Sequence, residues 1–154
     1  MVMRLPVLSA LIGIGCFGPA LAGWAPTIFE GETKRAIQGC AAKSTDDAWS
    51  CAFIRCEPDG SGLGLYLDIP GALLDGPIVL AVDGRDFPLN LEDTSGPFGG
   101  AYRVAGTDSV MFSALSNGKS LRIRLAGLKK GYDVIPLAGI APALRKLNQS
   151  CKSG

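Results

Sequence analysis

The side chains of this chain that could do chemistry are carboxylates, lysines, tyrosines and serines, because the sequence contains no histidine. That absence excludes Ser-His-Asp and Cys-His catalysis and a general base that titrates near neutral pH. Neighbouring carboxylates occur at Asp46/Asp47, Glu57/Asp59, Asp83/Asp86 and Glu92/Asp93. A glycosidase needs two carboxyl groups that face each other across a cleft, and adjacent turn acids rarely do so. We therefore interpret these acids as turn and surface charges and predict no catalytic residue.

The cysteines point to cross-links rather than to a thiol nucleophile or a metal site. Cys16 lies in the N-terminal apolar segment, and the even set that remains is Cys40, Cys51, Cys56 and Cys151, as expected for two disulfides in an exported chain. Cys51 and Cys56 would face opposite sides of a straight strand and should not pair with each other. Each is therefore expected to bond to Cys40 or Cys151, in an order that the spacing leaves open. The sequence lacks both CxxC spacing and histidine, so we predict no zinc site, and no other metal or cofactor is predicted.

The first 22 residues are typical of an export signal. Met1–Arg4 is basic, Leu5–Phe17 is apolar, and Ala20-Leu21-Ala22 is a small-x-small cleavage site. The apolar run is shorter than the ~20 residues that a membrane span needs. We predict a cleaved signal peptide over 1–22 and no transmembrane segment in the mature chain.

The mature chain, 23–154, is expected to form a single disulfide-bonded β domain that is periplasmic or secreted. Lipid attachment through Cys16 is disfavoured, because Gly13 stands where a lipobox requires a branched aliphatic residue. The sequence has 15 Lys and Arg against 14 Asp and Glu, and removal of Arg4 leaves 14 of each. This balance argues against binding to nucleic acid. Acidic residues prevail up to Asp93 and basic residues after it, and an antiparallel fold would interleave the two into a mixed surface.

Alternating hydrophobicity predicts most of the secondary structure as short strands. The predicted strands are a short one near Trp24, Ile28 and Phe29, then 49–56, 63–69, 78–82, 87–91, 102–104, 121–125 and 132–137. Asp83-Gly84 between alternating runs indicates a hairpin, although Arg85 and Asp86 could lengthen its loop. Pro88 would place the returning strand at a sheet edge, at least on its amide side.

Three segments could form short helices. They are Glu32–Gln38, ended by Gly39; Ser109–Ser116, capped by Asp108; and Ile140–Cys151 at the C-terminus. Short strands, Gly/Pro turns and the lack of a βαβ rhythm predict a mainly β fold. We expect an antiparallel β-sandwich or a small barrel, with one or two short helices that include the C-terminal one.

Two surface features are candidates for binding. The first is a cationic set beside the strand 121–125, comprising Lys119, Arg122, Arg124, Lys129 and Lys130, with Arg145 and Lys146 as possible neighbours. It could contact an acidic partner, or it could simply be the solvated face of a strand. The second is Phe98, which lies among glycines on a loop and could contact a ligand or cover the core.

The strand that begins Trp49-Ser50-Cys51 and the closing segment Val134–Leu144 resemble small periplasmic proteins of the invasion-associated locus B type. The resemblance implies an immunoglobulin-like sandwich in the periplasm or at the outer membrane, a link to host-cell entry, and no established enzymatic activity. No site residue is transferred from it.

Three functions remain open on the sequence. The first is a non-catalytic interaction module whose partner is a protein or an envelope component. The second is an inhibitor of a cell-wall hydrolase of the lysozyme type, inserting the Glu57–Gly62 or Glu92–Gly96 loop into the enzyme. The third is a carboxylate-based hydrolase.

Overall fold

The computed structural model describes residues 23–28, 35–43, 50–69, 77–94, 102–125 and 132–152. The predicted export signal, the neighbouring acids Asp46/Asp47 and the candidate residues Phe98, Lys129 and Lys130 lie outside these ranges. The described chain forms these elements: β1 Ala25–Ile28, β2 Arg35–Cys40, β3 Cys51–Cys56, β4 Leu63–Asp68, β5 Ile78–Val82, β6 Arg85–Asp93, β7 Tyr102–Ala105, α1 Ser109–Asn117, β8 Ser120–Leu125, β9 Ile135–Pro136 and α2 Ile140–Lys152.

The nine described strands form one antiparallel sheet in the order β1-β2-β3-β4-β7-β6-β5-β8-β9. The predicted mainly β class and the C-terminal helix are confirmed. β6 is not the edge strand that Pro88 suggested, because it has β5 on one side and β7 on the other. β7 pairs with β6 only from Asn90 onward. On the side of β6 that faces β7, Pro88 therefore lies outside the described pairing, and its lack of an N–H costs no hydrogen bond there.

The sheet curls around a single core. Ile54 and Leu65 from one half of the strand order share a buried cluster with Leu80 and Ile123 from the other half. The two ends of the order also meet, because the Trp24 indole Nε1 donates a 3.0 Å hydrogen bond to the carbonyl of Pro136. This wrapping gives a sandwich-like arrangement in which α2 adds its own apolar face to the same core.

The hairpin of β5 and β6 turns in two residues. Asp83 has φ 47° and Gly84 has φ 86°, the left-handed conformations that such tight hairpins need. Val82 already pairs with Arg85, so Arg85 and Asp86 do not lengthen the loop. The Asp83 carboxylate also accepts hydrogen bonds from the backbone N–H groups of Lys119 and Ser120, which fixes the turn to the start of β8.

The helix predicted over Glu32–Gln38 is wrong for its described part, since Arg35–Cys40 is strand β2. Ile37 is buried against the core, as strand alternation requires. Gly39 is not a helix stop; a Cβ there would lie 2.6 Å from the Trp24 ring, so the position leaves room for the indole.

The other two helices form as predicted. The Asp108 side chain accepts a 2.8 Å hydrogen bond from the Met111 N–H and caps α1. The predicted strand 132–137 shortens to Ile135–Pro136, and α2 begins at Ile140. Neither described helix is long and apolar enough to cross a bilayer.

Two disulfides involve all four predicted cysteines. Cys40–Cys51 joins residues that are directly opposite on β2 and β3. Cys56–Cys151 joins the end of β3 to the end of α2 across 95 residues of sequence. The expectation that Cys51 and Cys56 do not pair is confirmed, and the order that the spacing left open is now assigned.

Candidate interaction surface on the outer face of the sheet

The sheet has a side that faces away from the core, which we call the outer face. Phe53 and Tyr66 on this face are buried, whereas Arg103 is half-buried and Glu92 is exposed. Phe53, Tyr66, Arg103 and Glu92 lie directly opposite one another on β3, β4, β7 and β6, and so form one row across four strands. Their sequence neighbours, such as Ile54, Leu65 and Val104, point into the core instead. The row brings together residues that are distant in sequence.

A buried carboxylate organises this row. Glu57 follows β3 and is only 6% exposed. Its Oε2 accepts a 2.9 Å hydrogen bond from the Tyr66 hydroxyl, and its Oε1 accepts one of 2.9 Å from Arg103 Nε. Arg103 Nη1 then donates a 3.0 Å hydrogen bond to Glu92 Oε2. One guanidinium thus holds two carboxylates, a charge-assisted arrangement that fixes its geometry.

The backbone makes room for this network. A Cβ on Gly64 would lie 2.6 Å from the carboxyl carbon of Glu57, so only glycine admits the buried side chain at that position. On the other side of the network, the Arg55 guanidinium lies 4.6 Å from the centroid of the Tyr66 ring. This stacking adds a cation–π contact and places a second arginine beside the first.

The network is arranged to hold charge rather than to exchange protons. Burial, followed by the hydrogen bond to Glu57, raises the pKa of the Tyr66 hydroxyl, so it remains a neutral donor at physiological pH. The hydrogen bonds to Glu57 and Glu92 raise the pKa of Arg103, which remains a cation. The interpretation of Glu57 as a turn or surface charge is wrong, because its side chain is buried and holds Arg103 on a neighbouring strand. Glu92 is a surface charge, with its side chain 54% exposed, and it too pairs with Arg103.

Two predicted cations share the outer face farther along the sheet. Arg122 and Arg124 alternate with buried Leu121 and Ile123 and therefore point away from the core, as predicted. Arg124 forms an ion pair with Asp86 of β6. Lys119 is exposed at the start of β8.

Of the remaining members of the predicted cationic set, the described ones, Arg145 and Lys146, are not part of the outer face. Arg145 and Lys146 are exposed on α2, whose apolar face packs on the core side of the sheet. Lys129, Lys130 and Phe98 lie outside the described ranges. The structure therefore pairs Arg124 with an acidic partner, Asp86, that the sequence did not assign to it.

The buried Glu57 network was missed at the sequence level. A weak signal existed: Gly64 and Tyr66 alternate on the side of β4 opposite to Leu65 and Leu67. Arg103 carried no such signal, because its place opposite Tyr66 depends on the pairing of β4 with β7.

The described residues contain no cluster of three or more side chains suited to holding a metal ion. Within the outer face, Arg103 bridges Glu57 and Glu92, and Arg124 forms an ion pair with Asp86. The arrangement is an array of alternating fixed charges that a charged or polar partner could recognise.

The fold and its two disulfides define a class: disulfide-bonded antiparallel β proteins suited to an oxidising, exported environment. A solved structure of the same fold is invasion associated protein b from Bartonella henselae, with 17% sequence identity and a TM-score of 0.61 over 84% of this chain and 94% of that one. This likeness agrees with the resemblance inferred from the sequence and concerns the fold. No protein-family profile and no curated protein sequence matches the chain.

Proposed function

We propose that the protein is an exported, non-catalytic interaction module of the bacterial envelope, with the outer face of its sheet as the contact surface. The mature domain spans 23–154 and acts in the periplasm or outside the cell after removal of 1–22. Its partner is a protein or another envelope component, and contact with host cells is one setting in which it acts.

The observation that carries this proposal is the prearranged charge array of the outer face. Arg103 is held by Glu57 and Glu92, and Arg124 by Asp86, so these side chains lose little freedom when a partner binds. Exposed and complementary charges set specificity and association rate at protein interfaces. The shared fold with an invasion associated protein supports a role in contact with other molecules.

Inhibition of a lysozyme-type hydrolase is the alternative, and the geometry favours it less. Glu57, the acid of one candidate loop, is buried by Tyr66 and Arg103. Asp59 in the same loop is exposed, but its carboxylate accepts a hydrogen bond from the Ser61 N–H, and Ser61 lowers the pKa of Asp59. A lysozyme assay with a large molar excess of the protein tests this alternative, and full residual activity would remove it.

Charge reversal tests the contact surface directly. The mature protein, the double variant R122E/R124E and a matched control K146E/K152E on α2 are immobilised and incubated with a solubilised envelope fraction. We expect one component to be retained by the wild type and the control, and its retention by R122E/R124E to fall by about tenfold or more. The introduced carboxylates would repel an acidic partner surface that the two arginines attract.

Equal retention by all three proteins would contradict the assignment of the outer face. Circular dichroism on each variant checks that the fold is intact. Hydrolysis of a glycan or ester substrate by the wild type, abolished by E92Q, would contradict the non-catalytic part of the proposal and support the carboxylate-based hydrolase.

A further inference from the structure

An open groove of about 630 Å³ lies between α1 and α2, next to the turn that joins β3 to β4. Its volume falls in the range of sites that accommodate small ligands. It shares no residue with the charge array of the outer face, so the proposed function does not account for it. Both helices are anchored to the core by Met111, Leu115, Leu144 and Leu147, which gives the groove firm walls.

The lining of the groove is divided between an apolar base and polar walls. Leu63 and Phe112 are half-buried and Leu144 is buried, and together they supply the apolar base. The exposed side chains of Ser113 and Arg145 stand on the walls that α1 and α2 provide. A base with an aromatic ring and walls with hydrogen-bonding groups suit a ligand with one apolar face and a polar rim.

The polar groups of the α2 wall are available for a ligand. Neither the Arg145 guanidinium nor the Asn148 amide makes a side-chain hydrogen bond or an ion pair with any residue that the structure describes. Both groups are planar: the guanidinium offers a fork of donors, and the amide offers a donor beside an acceptor, so each can bind two adjacent oxygen-bearing groups of a ligand. The neighbouring hydroxyls of Ser109 and Ser113 add donors and acceptors on the facing wall.

The charge and the shape of the groove disfavour two other kinds of ligand, a polyanion and an extended peptide. Arg145 and Asp108 are the charged residues among its described lining, so the lining is close to neutral and does not favour a polyanion. An extended peptide gains most of its affinity from an open strand edge, and helices α1 and α2 present none in the groove.

We propose that this groove binds a short oligosaccharide that carries N-acetyl groups. The apolar face of a sugar ring would lie against Phe112, and an acetamido methyl would contact Leu63 and Leu144. Arg145 and Asn148 would donate to pairs of neighbouring ring hydroxyls or to the acetamido carbonyl. The ligand class thus follows from the pairing of an apolar base with uncommitted planar donors.

The test is a titration of the mature protein with the β-1,4-linked tetramer of N-acetylglucosamine, in which binding is monitored through the NMR chemical shifts of the backbone amides. We expect saturable shifts that map to α1, α2 and the turn before β4. The double variant R145A/N148A should bind about tenfold more weakly or worse, because two to four hydrogen bonds are lost. The variant S113W, at an exposed position, should block binding by filling the groove.

The matched control is K146A, which removes the adjacent exposed cation of α2 and should bind as the wild type does. Absence of saturable shifts, shifts confined to the outer face, or an equal loss in K146A would overturn the proposal. Shifts in the groove caused by a Ser/Gly-rich hexapeptide but not by the sugar would also overturn it and assign a peptide ligand. The R122E/R124E variant should bind the sugar normally, which separates this test from that of the outer face.

Discussion

Glu57 is a carboxylate that the fold buries and pairs with Arg103, and Gly64 leaves the room that its side chain occupies. Replacement G64A should lower the free energy of unfolding by about 1–3 kcal/mol, because the added Cβ forces the Glu57 side chain out of its place. At an ordinary strand position the same change would stabilise the protein slightly. Urea denaturation monitored by tryptophan fluorescence measures the difference.

A double-mutant comparison tests whether the Glu57 contact is the cause. In an E57A background the carboxylate is gone and the 2.9 Å approach of the added Cβ to Tyr66 Cε2 remains, so G64A should cost much less stability than it does in the wild type. An equal loss of stability in both backgrounds would show that Gly64 is required for some other reason.

Asp68 lies on the outer face opposite Cys51 and is half-buried. Burial raises the pKa of its carboxyl group, so the ionised form is disfavoured in the folded state. The loss of folding stability caused by ionised Asp68 is absent below the unfolded-state pKa of about 3.9, and it develops as the pH rises through the pKa of the folded state. D68N should therefore be more stable than the wild type at pH 7 and equally stable at pH 3. Lower stability of D68N at pH 7 would contradict this.

The contribution of Asp83 to stability should change with pH in the opposite direction to that of Asp68. The hydrogen bond from the Lys119 N–H, followed by that from the Ser120 hydroxyl, lowers the pKa of Asp83. The stability that its ionised form adds is present above the unfolded-state pKa of about 3.9 and is lost as the pH falls through the folded pKa. D83N should melt at a lower temperature than the wild type at pH 7, and the gap should narrow towards pH 2. A gap that is constant with pH would exclude the charge as the cause.

At the scale of elements, the two disulfides should differ in their effect on stability. Cys56–Cys151 closes 95 residues and ties α2 to β3, whereas Cys40–Cys51 closes 11 residues between strands that already pair. The loop-entropy relation gives about 4.7 and about 2.8 kcal/mol for the two bonds. C56S/C151S should therefore lose about 2 kcal/mol more than C40S/C51S in guanidinium unfolding. The reverse ranking would mean that native strain or residual structure dominates.

How much of each element could be predicted depended on whether its signal is local. The β5–β6 hairpin follows from Asp83-Gly84, and the start of α1 from Asp108, because a turn or a cap is specified within a few residues. β2 was mistaken for a helix because its evidence is not local: Gly39 is explained by the Trp24 ring, which the strand pairing brings to it.

At the scale of the whole molecule, the sheet mixes the two differently charged halves of the sequence. Glu57 and Glu92 come from the acidic half and Arg103 from the basic half, and strand order places them side by side. Asp86 and Arg124 repeat the arrangement. The mixed surface expected of an antiparallel fold is observed here, but the sequence could not name the pairs. Those of Arg103 depend on β7 lying between β4 and β6, and that of Arg124 depends on β5 lying between β6 and β8.

The contact role of the outer face can be tested by site-specific photo-crosslinking in cells that produce the protein. A benzophenone side chain replaces Asn90, which is exposed on the outer face of β6, or Val110, which is 45% exposed on α1. We expect a crosslinked partner protein or envelope component from position 90 and none of the same species from position 110. A partner captured from position 110 alone would contradict it and move the contact surface to the helices.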